Sequence, residues 1–319
     1  MNAIDTSNAR AVAQAIVAAH GLRFGAATST PVSGAPRFTS DDAVYRGAKQ
    51  ACTALGFIEI DAECLAHAWR AQTERLGQFD ASAWPDAPVD FGMGPFPPTA
   101  RADAFPPCPE RLGLYAVLPD AAWVGRMARA GVPTVQLRFK SDDVAAVARE
   151  VQAAVEAVRG TGALLFINDH WQVAIAAGAY GIHLGQEDLD ALSTEELQQL
   201  RASGLRLGVS THGYAEMVRA DAVSPSYIAM GAIYPTTLKR MATAPQGVAR
   251  LAAYARLLRG YPQVGIGGVD AVRLPDVLAT GVGSVAVVRA LVAADDPEAT
   301  AAQWMAAMQA APVSPERTE

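Results

Sequence analysis

From Leu112 onward the chain alternates short apolar runs with longer segments rich in Ala, Leu, Glu and Arg, and this alternation limits the possible folds more than any other feature. The runs are Leu112–Leu118, Thr134–Arg138, Ala163–Asn168, Gly181–Leu184, Leu205–Ser210, Ser226–Gly231, Gln263–Gly267 and Ser284–Val288. Runs this short, bounded by turn residues, read as strands buried on both faces. The segments between them, such as Ser141–Arg159 and Ser193–Ser203, read as helices with Ser141 and Ser193 as N-caps. Strict alternation predicts a parallel sheet, because parallel neighbours need a crossover connection and a helix supplies it. Eight such units over about two hundred residues match the size of a (β/α)8 TIM barrel. An open doubly wound sheet is the alternative. It should carry a glycine-rich dinucleotide turn after its first strand, and Leu118-Pro-Asp120 is not one.

The chain has 319 residues, enough for one large domain or two ordinary ones. Prolines crowd the stretch from Trp84 to Glu110, including Gly94-Pro-Phe-Pro-Pro98 and Phe105-Pro-Pro-Cys-Pro109. Proline removes a backbone donor and disfavours helix, so this stretch reads as an extended linker. Upstream, Ser7 is placed to cap a helix ending at Gly21, and Asp61 to cap another reaching about Gly77. Phe57–Ile60 reads as a strand between them, and Arg23–Arg37 as loop. The expected division is therefore a small, partly helical N-terminal accessory region (1–84), a Pro-rich linker (85–110) and the barrel (111–319), the last folding by itself from near Pro109. The accessory region has no phosphate-binding glycine loop, and His20 and His67 lack metal-ligand spacing.

Charge narrows the function. The net charge of −6 is poor electrostatics for a nucleic-acid partner, which usually meets a basic face. The three cysteines, Cys52, Cys64 and Cys108, form no CxxC pair, and their odd number argues against a disulfide framework. A reducing, cytoplasmic setting is expected. The opening Met1-Asn-Ala-Ile-Asp5 lacks a cationic segment, and no apolar stretch is long enough to span a membrane, so neither a secretory leader nor a membrane partner is expected.

Polar residues gather where the strands end, which in a barrel is where active sites lie. Gln136, Arg138 and Lys140 alternate along and past the second strand and so share one face. Asn168 and Asp169 end the third strand, and Asp188 follows the fourth. Two carboxylates at neighbouring strand ends can hold one Mg2+, which prefers hard oxygen ligands. Asn168 and Asp169 fit equally well as caps of the helix starting near His170, and Asp188 as a loop acid. His183 reads as a core or supporting residue, whereas His212 stands nearer the expected mouth. Gly265-Ile-Gly-Gly268 and Val287-Val-Arg289 follow the seventh and eighth strands, a common phosphate position. A surface role for Arg289 fits equally well.

Taken together the strings resemble thiamine phosphate synthases. Gln136-Leu-Arg-Phe-Lys140, Phe166-Ile-Asn-Asp169, Gly181-Ile-His-Leu-Gly-Gln-Glu-Asp188, Gly208-Val-Ser-Thr-His212, Tyr234-Pro-Thr-Thr-Leu-Lys239, Pro245-Gln-Gly247 and Gly265-Ile-Gly-Gly268 occur in that family's order. The resemblance covers about Leu112 to Met308 and leaves the first hundred or so residues unassigned. It implies condensation of hydroxymethylpyrimidine diphosphate with a thiazole phosphate, giving thiamine phosphate and pyrophosphate. By that resemblance Gln136, Arg138, Lys140, Asn168 and Lys239 hold the pyrimidine diphosphate, Asp169 and Asp188 ligate Mg2+, and Ser210 lies near the leaving group. Arg138, Lys140, Ser210 and Lys239 are then the catalytic set, and Thr236, Gly267, Gly268, Val288 and Arg289 receive the thiazole phosphate. Leu238 stands where the family often has threonine and Arg289 where it often has serine, both on the thiazole side. A thiazole tautomerase of the same barrel type, or an inert relative that binds thiamine phosphates as a regulator, are the competing functions. The oligomeric state is not specified by the sequence.

Overall fold

The computed structural model describes residues 5–25, 37–96, 98–236 and 244–311. In chain order its elements are α1 (Ala9–Phe24), α2 (Ala43–Ala54), α3 (Glu59–Leu76), β1 (Leu114–Leu118), α4 (Ala121–Arg129), β2 (Thr134–Leu137), α5 (Val144–Ala157), β3 (Leu164–Asn168), α6 (Trp171–Ala177) and β4 (Gly181–Leu184). Then come α7 (Gln186–Ala191), α8 (Thr194–Ala202), β5 (Arg206–Thr211), α9 (Tyr214–Asp221), β6 (Tyr227–Met230), α10 (Gly247–Leu257), β7 (Gln263–Ile266), α11 (Leu274–Leu278), β8 (Ser284–Val287), α12 (Arg289–Val292) and α13 (Pro297–Ala310). They form two compact units, one of Met1–Pro95 with Gly213–Ala222 and one of Phe96–His212 with Val223–Glu319.

The larger unit is the expected barrel. All eight strands are parallel and pair in chain order, and β8 returns to β1 with Leu114 opposite Val285. The strands are buried almost throughout, as their apolar runs require. Leu112, Tyr115, Val117, Phe166, Tyr227, Ala229, Val264 and Ala286 pack into one core. Gly208 is opposite Tyr227 in the register, and a Cβ on it would come within 2.1 Å of a Tyr227 ring carbon. A bare Cα is therefore the condition for seating that tyrosine in the barrel.

Helix starts follow local hydrogen bonding. The Asp120 carboxylate accepts from Trp123 N and opens α4, and Ser193 and Glu196 form a reciprocal box at α8. Asp143, not Ser141, caps α5, its carboxylate accepting from both Ala145 N and Ala146 N. β1 begins at Leu114 because the Leu112 and Gly113 amides donate to Ser284 Oγ instead of a strand carbonyl. The Pro-rich stretch holds two short 3-10 turns, Pro88–Phe91 and Pro98–Ala100. Its second part belongs to the barrel unit: Phe105 N donates to Ser224 O at 3.0 Å, and the Phe96 ring meets Tyr261 edge-on at 5.9 Å. The boundary between the units falls after Pro95, inside the segment that proline density marks as linker.

The smaller unit packs α1, α2 and α3 together. Asn8, not Ser7, caps α1, accepting from Arg10 N and Ala11 N, while the Ser7 hydroxyl donates to Asp5 at 2.6 Å. The helix continues past Gly21 to Phe24, so the loop expected at Arg23–Arg37 loses its first residues to α1, and its stretch 26–36 lies outside the described residues. Phe57–Ile60 is not a strand: Phe57 N donates to Cys52 O to close α2, and α3 starts at Glu59. Trp84 packs among His20, Phe24, Phe57 and Trp69. Lys49, 2% exposed, bridges Glu59 and Glu63 at 2.7 Å each and also donates to the Arg37 carbonyl.

The α9 helix belongs to this smaller unit. Asp61 does not cap α3; its buried carboxylate accepts from Ala215 N at 2.9 Å, at the start of α9. Trp84 Nε1 donates to the Tyr214 hydroxyl at 2.9 Å, the Phe91 ring stacks on Tyr214, and Gly94 N donates to Asp221 Oδ2. Among the described residues no helix is long and apolar enough to cross a membrane.

Candidate active site

The C-terminal ends of the barrel strands enclose an open cavity of about 810 Å³. Gln136, Arg138, Lys140, Asn168, Asp169, Asp188, Ser210, Thr236, Gly267, Gly268, Val288 and Arg289 all line it. Lys239, with Thr237 and Leu238, lies outside the described residues. The convergence is a product of topology. Each strand delivers its last side chains to the same end, and alternation sends every second one inward.

On the first wall Gln136 Nε2 donates to Asn168 Oδ1 at 2.8 Å, tying β2 to β3. Arg138 follows the last residue of β2, with its backbone N–H still donating to Leu118 O at 2.8 Å, so the guanidinium is mounted on the sheet itself. Lys140, two residues on, is exposed at the mouth.

The two aspartates occur side by side. Asp169 takes φ 65°, a conformation that Asp tolerates better than most residues, and its N–H donates to His183 O at 3.1 Å. Asp188 is in the first turn of α7, and Gly185 N donates to its Oδ2 at 3.1 Å. Asp169 is not a helix cap, since α6 begins after His170 and no side chain caps it. Withdrawal from solvent and the facing Asp188 carboxyl push the Asp169 carboxyl above its usual range, against the opposing charges of Arg138 and His170. Among the described residues no group of three or more His, Cys, Asp or Glu side chains is gathered for a metal. Two facing carboxylates that repel one another are nevertheless a hard-oxygen donor pair suited to a divalent cation completing its shell with water and phosphate oxygens.

The opposite wall is built from glycines. Gly267 and Gly268 have φ 104° and 67°, and a Cβ would lie 2.6 Å from Ala232 Cα at the first and 2.6 Å from Pro235 O at the second. Both the dihedral and the close approach therefore require glycine. Tyr234 N donates to Gly267 O, joining this turn to the segment that carries Thr236. Val288 and the exposed Arg289 begin the short α12 at the rim.

Some lining residues escaped the sequence reading. Arg273 lines the cavity, donates to Gly268 O at 2.8 Å and lies over the Tyr234 ring. Its only linear signal was an arginine five residues after the glycine pair. His183 is more deeply engaged than a packing histidine: Nε2 is 2.7 Å from Ser210 Oγ, and Nδ1 is 2.7 Å from the Tyr227 hydroxyl. The Tyr227 hydroxyl is in turn 2.7 Å from that of Tyr115. Burial pushes both phenols up, so both keep their protons. His212 lines the cavity, whereas Trp171 is buried in packing.

A family model described as thiamine monophosphate synthase matches residues 114–291, a span containing every lining residue named here. The thiamine-phosphate synthase of Neisseria meningitidis serogroup B is 52% identical over 202 residues, covering 63% of this chain and 97% of that protein. The thiamine-phosphate synthase of Yersinia pestis is 49% identical over 201 residues, covering 63% of this chain and 92% of its own length. Among solved structures, thiamine phosphate pyrophosphorylase from Pyrococcus furiosus superposes with a TM-score of 0.55 at 24% identity, over 62% of this chain and 96% of its own, a likeness of fold.

Proposed function

The chain belongs to the thiamine monophosphate synthase family, and on that premise we propose that it condenses hydroxymethylpyrimidine diphosphate with a thiazole phosphate, releasing pyrophosphate. It is a transferase. The observation that carries the substrate assignment is the convergence of a cationic arm, a carboxylate pair and a glycine turn on one cavity.

In this reading Gln136 and Asn168, already bonded to each other, present amides to the pyrimidine diphosphate. Arg138 and Lys140, joined by Lys239, meet the negative charge that gathers on the leaving pyrophosphate. This is stabilisation by charges positioned in advance, worth most in the transition state. Asp169 and Asp188 would hold one Mg2+, which when bound supplies Lewis-acid neutralisation of diphosphate oxygens. Ser210 adds a hydroxyl beside the same group. The Gly267–Gly268 turn, Thr236, Val288 and Arg289 receive the thiazole phosphate on the far wall. The benzylic-type C–O bond of the pyrimidine breaks as pyrophosphate leaves, and the thiazole nitrogen captures the resulting cation. That nitrogen carries no proton, so no general base is needed. The walls must keep water from trapping the cation first. A thiazole tautomerase would have no use for the amide and cation arm.

Purified protein supplied with both substrates and Mg2+ is expected to form thiamine phosphate and pyrophosphate in equal amounts. Binding of thiamine phosphate without turnover would favour an inert regulator, and isomerisation of the thiazole alone a tautomerase.

A further inference from the structure

Ser210 and His183 stand at a distance that invites a nucleophile–base reading. Their 2.7 Å contact is the signature of a hydroxyl activated by an imidazole. The rest of the chain of hydrogen bonds argues for the opposite proton arrangement.

The chain runs Tyr115 Oη, Tyr227 Oη, His183 Nδ1, His183 Nε2, Ser210 Oγ, with each of its three links at 2.7 Å. Each hydroxyl carries one proton and can accept as well as donate. Among the described residues the Tyr115 hydroxyl has Tyr227 as its one hydrogen-bond partner, and Tyr115 is 1% exposed. If Tyr227 donated to Tyr115, the Tyr115 proton would be left buried without an acceptor, a costly arrangement. Tyr115 therefore donates to Tyr227. Tyr227 then spends its own proton on His183 Nδ1, which must be the unprotonated nitrogen. The proton of the neutral ring lies on Nε2 and is donated to Ser210 Oγ.

We infer that Tyr115, Tyr227 and His183 are positioning residues that hold the imidazole as its Nε2–H tautomer and so turn the Ser210 hydroxyl proton into the cavity, as a donor to an anionic oxygen. Ser210 is in consequence neither deprotonated nor a nucleophile. The seat is built for this purpose on three strands. Tyr227 is fully buried, its ring lies nearly parallel to the imidazole with centroids 5.7 Å apart, and Gly208 leaves the space that the phenol fills. The value of the donor to the reaction rests on the placement of Ser210 beside the leaving pyrophosphate proposed above.

Nitrogen NMR of histidine-labelled full-length protein tests the tautomer directly, with His183→Gln identifying the signal. The expected result is a neutral ring protonated at Nε2 by about ten to one or more. In Tyr227→Phe the Nδ1 resonance should move as its donor is lost. An Nδ1–H tautomer or an imidazolium in the parent protein overturns the inference, as does an unmoved Nδ1 signal in Tyr227→Phe. Inorganic pyrophosphate binding in the presence of Mg2+ supplies the functional arm. Ser210→Ala is expected to weaken it about tenfold, Tyr227→Phe to weaken it comparably, and the double variant to be no worse than Ser210→Ala. Full additivity in the double variant would overturn action through Ser210. If Ser210→Ala binds pyrophosphate as the parent does, the assignment of Ser210 to the leaving group fails, while the NMR result still decides the tautomer.

Discussion

Asp169 and Asp188 are positioned by backbone geometry, which sets their carboxyl groups facing one another. Asp169 sits in a tight turn at φ 65°, and Asp188 accepts from Gly185 N at 3.1 Å. Replacing either with Ala should remove most turnover and shift the Mg2+ dependence to higher concentration, because one of two anionic ligands is gone. Turnover titrated with Mg2+ checks this, and unchanged curves for both variants would exclude the metal assignment. Lys140 carries its charge at the cavity mouth, and Lys239, outside the described residues, is its partner in the function proposed above. Lys140→Ala and Lys239→Ala should each slow the single-turnover chemical step by roughly 10²–10³, the range seen when one positioned donor is lost. Affinity for the thiazole phosphate should hardly change. A loss confined to that affinity would assign these lysines to the other substrate.

At the scale of elements, the smaller unit turns on a buried charge. Burial pushes the Glu63 carboxyl up, but hydrogen bonds from Lys49, Thr39 and Tyr45 outweigh it and hold the group at about 2. A folded value below the unfolded one of about 4.5 means stability that is present above that pH and lost as pH falls towards 2. Glu63→Gln should cost about 1.5–3 kcal/mol at neutral pH, the worth of hydrogen bonds to a charged group. It should also flatten the acid side of the stability curve. Thermal unfolding of both proteins between pH 7 and pH 3 measures the two effects together. A parent-like acid slope in the variant would show that Glu63 does not carry it. None of this network could be read from the chain, because Lys49 and Glu63 belong to different helices and their meeting depends on packing. Capping was more legible, yet Asn8 and Asp143 took the places expected of Ser7 and Ser141. Neighbouring polar residues compete for the same amides, and the winner is the one whose side chain reaches two of them.

At the scale of the molecule, α9 belongs to the smaller unit although the chain reaches it from inside the barrel sequence. It lies between β5 and β6 in sequence, but its packing partners Asp61, Trp84, Phe91 and Gly94 come from the first ninety-five residues. A chain starting at Phe96 would lose the cap at Ala215 and expose Tyr214, which is otherwise fully buried. We expect such a truncated protein to aggregate or to unfold at a clearly lower temperature than the full chain. An equal unfolding temperature and full solubility would show that α9 finds other support, and would restore the autonomy suggested by proline density. The sequence alone determined the barrel and its polar mouth. Strand runs, crossover lengths and the residues at strand ends are local properties, and a closed parallel sheet carries strand ends to one face whatever the details. Only the tertiary structure decided that Asp61 serves α9 instead of its own helix, that Arg273 supports the glycine turn, and that His183 is bonded to Ser210 and Tyr227. Those relations join residues from 5 to 154 positions apart. Most of them join separate elements, and no periodicity or short motif encodes a pairing that only packing brings within hydrogen-bonding distance.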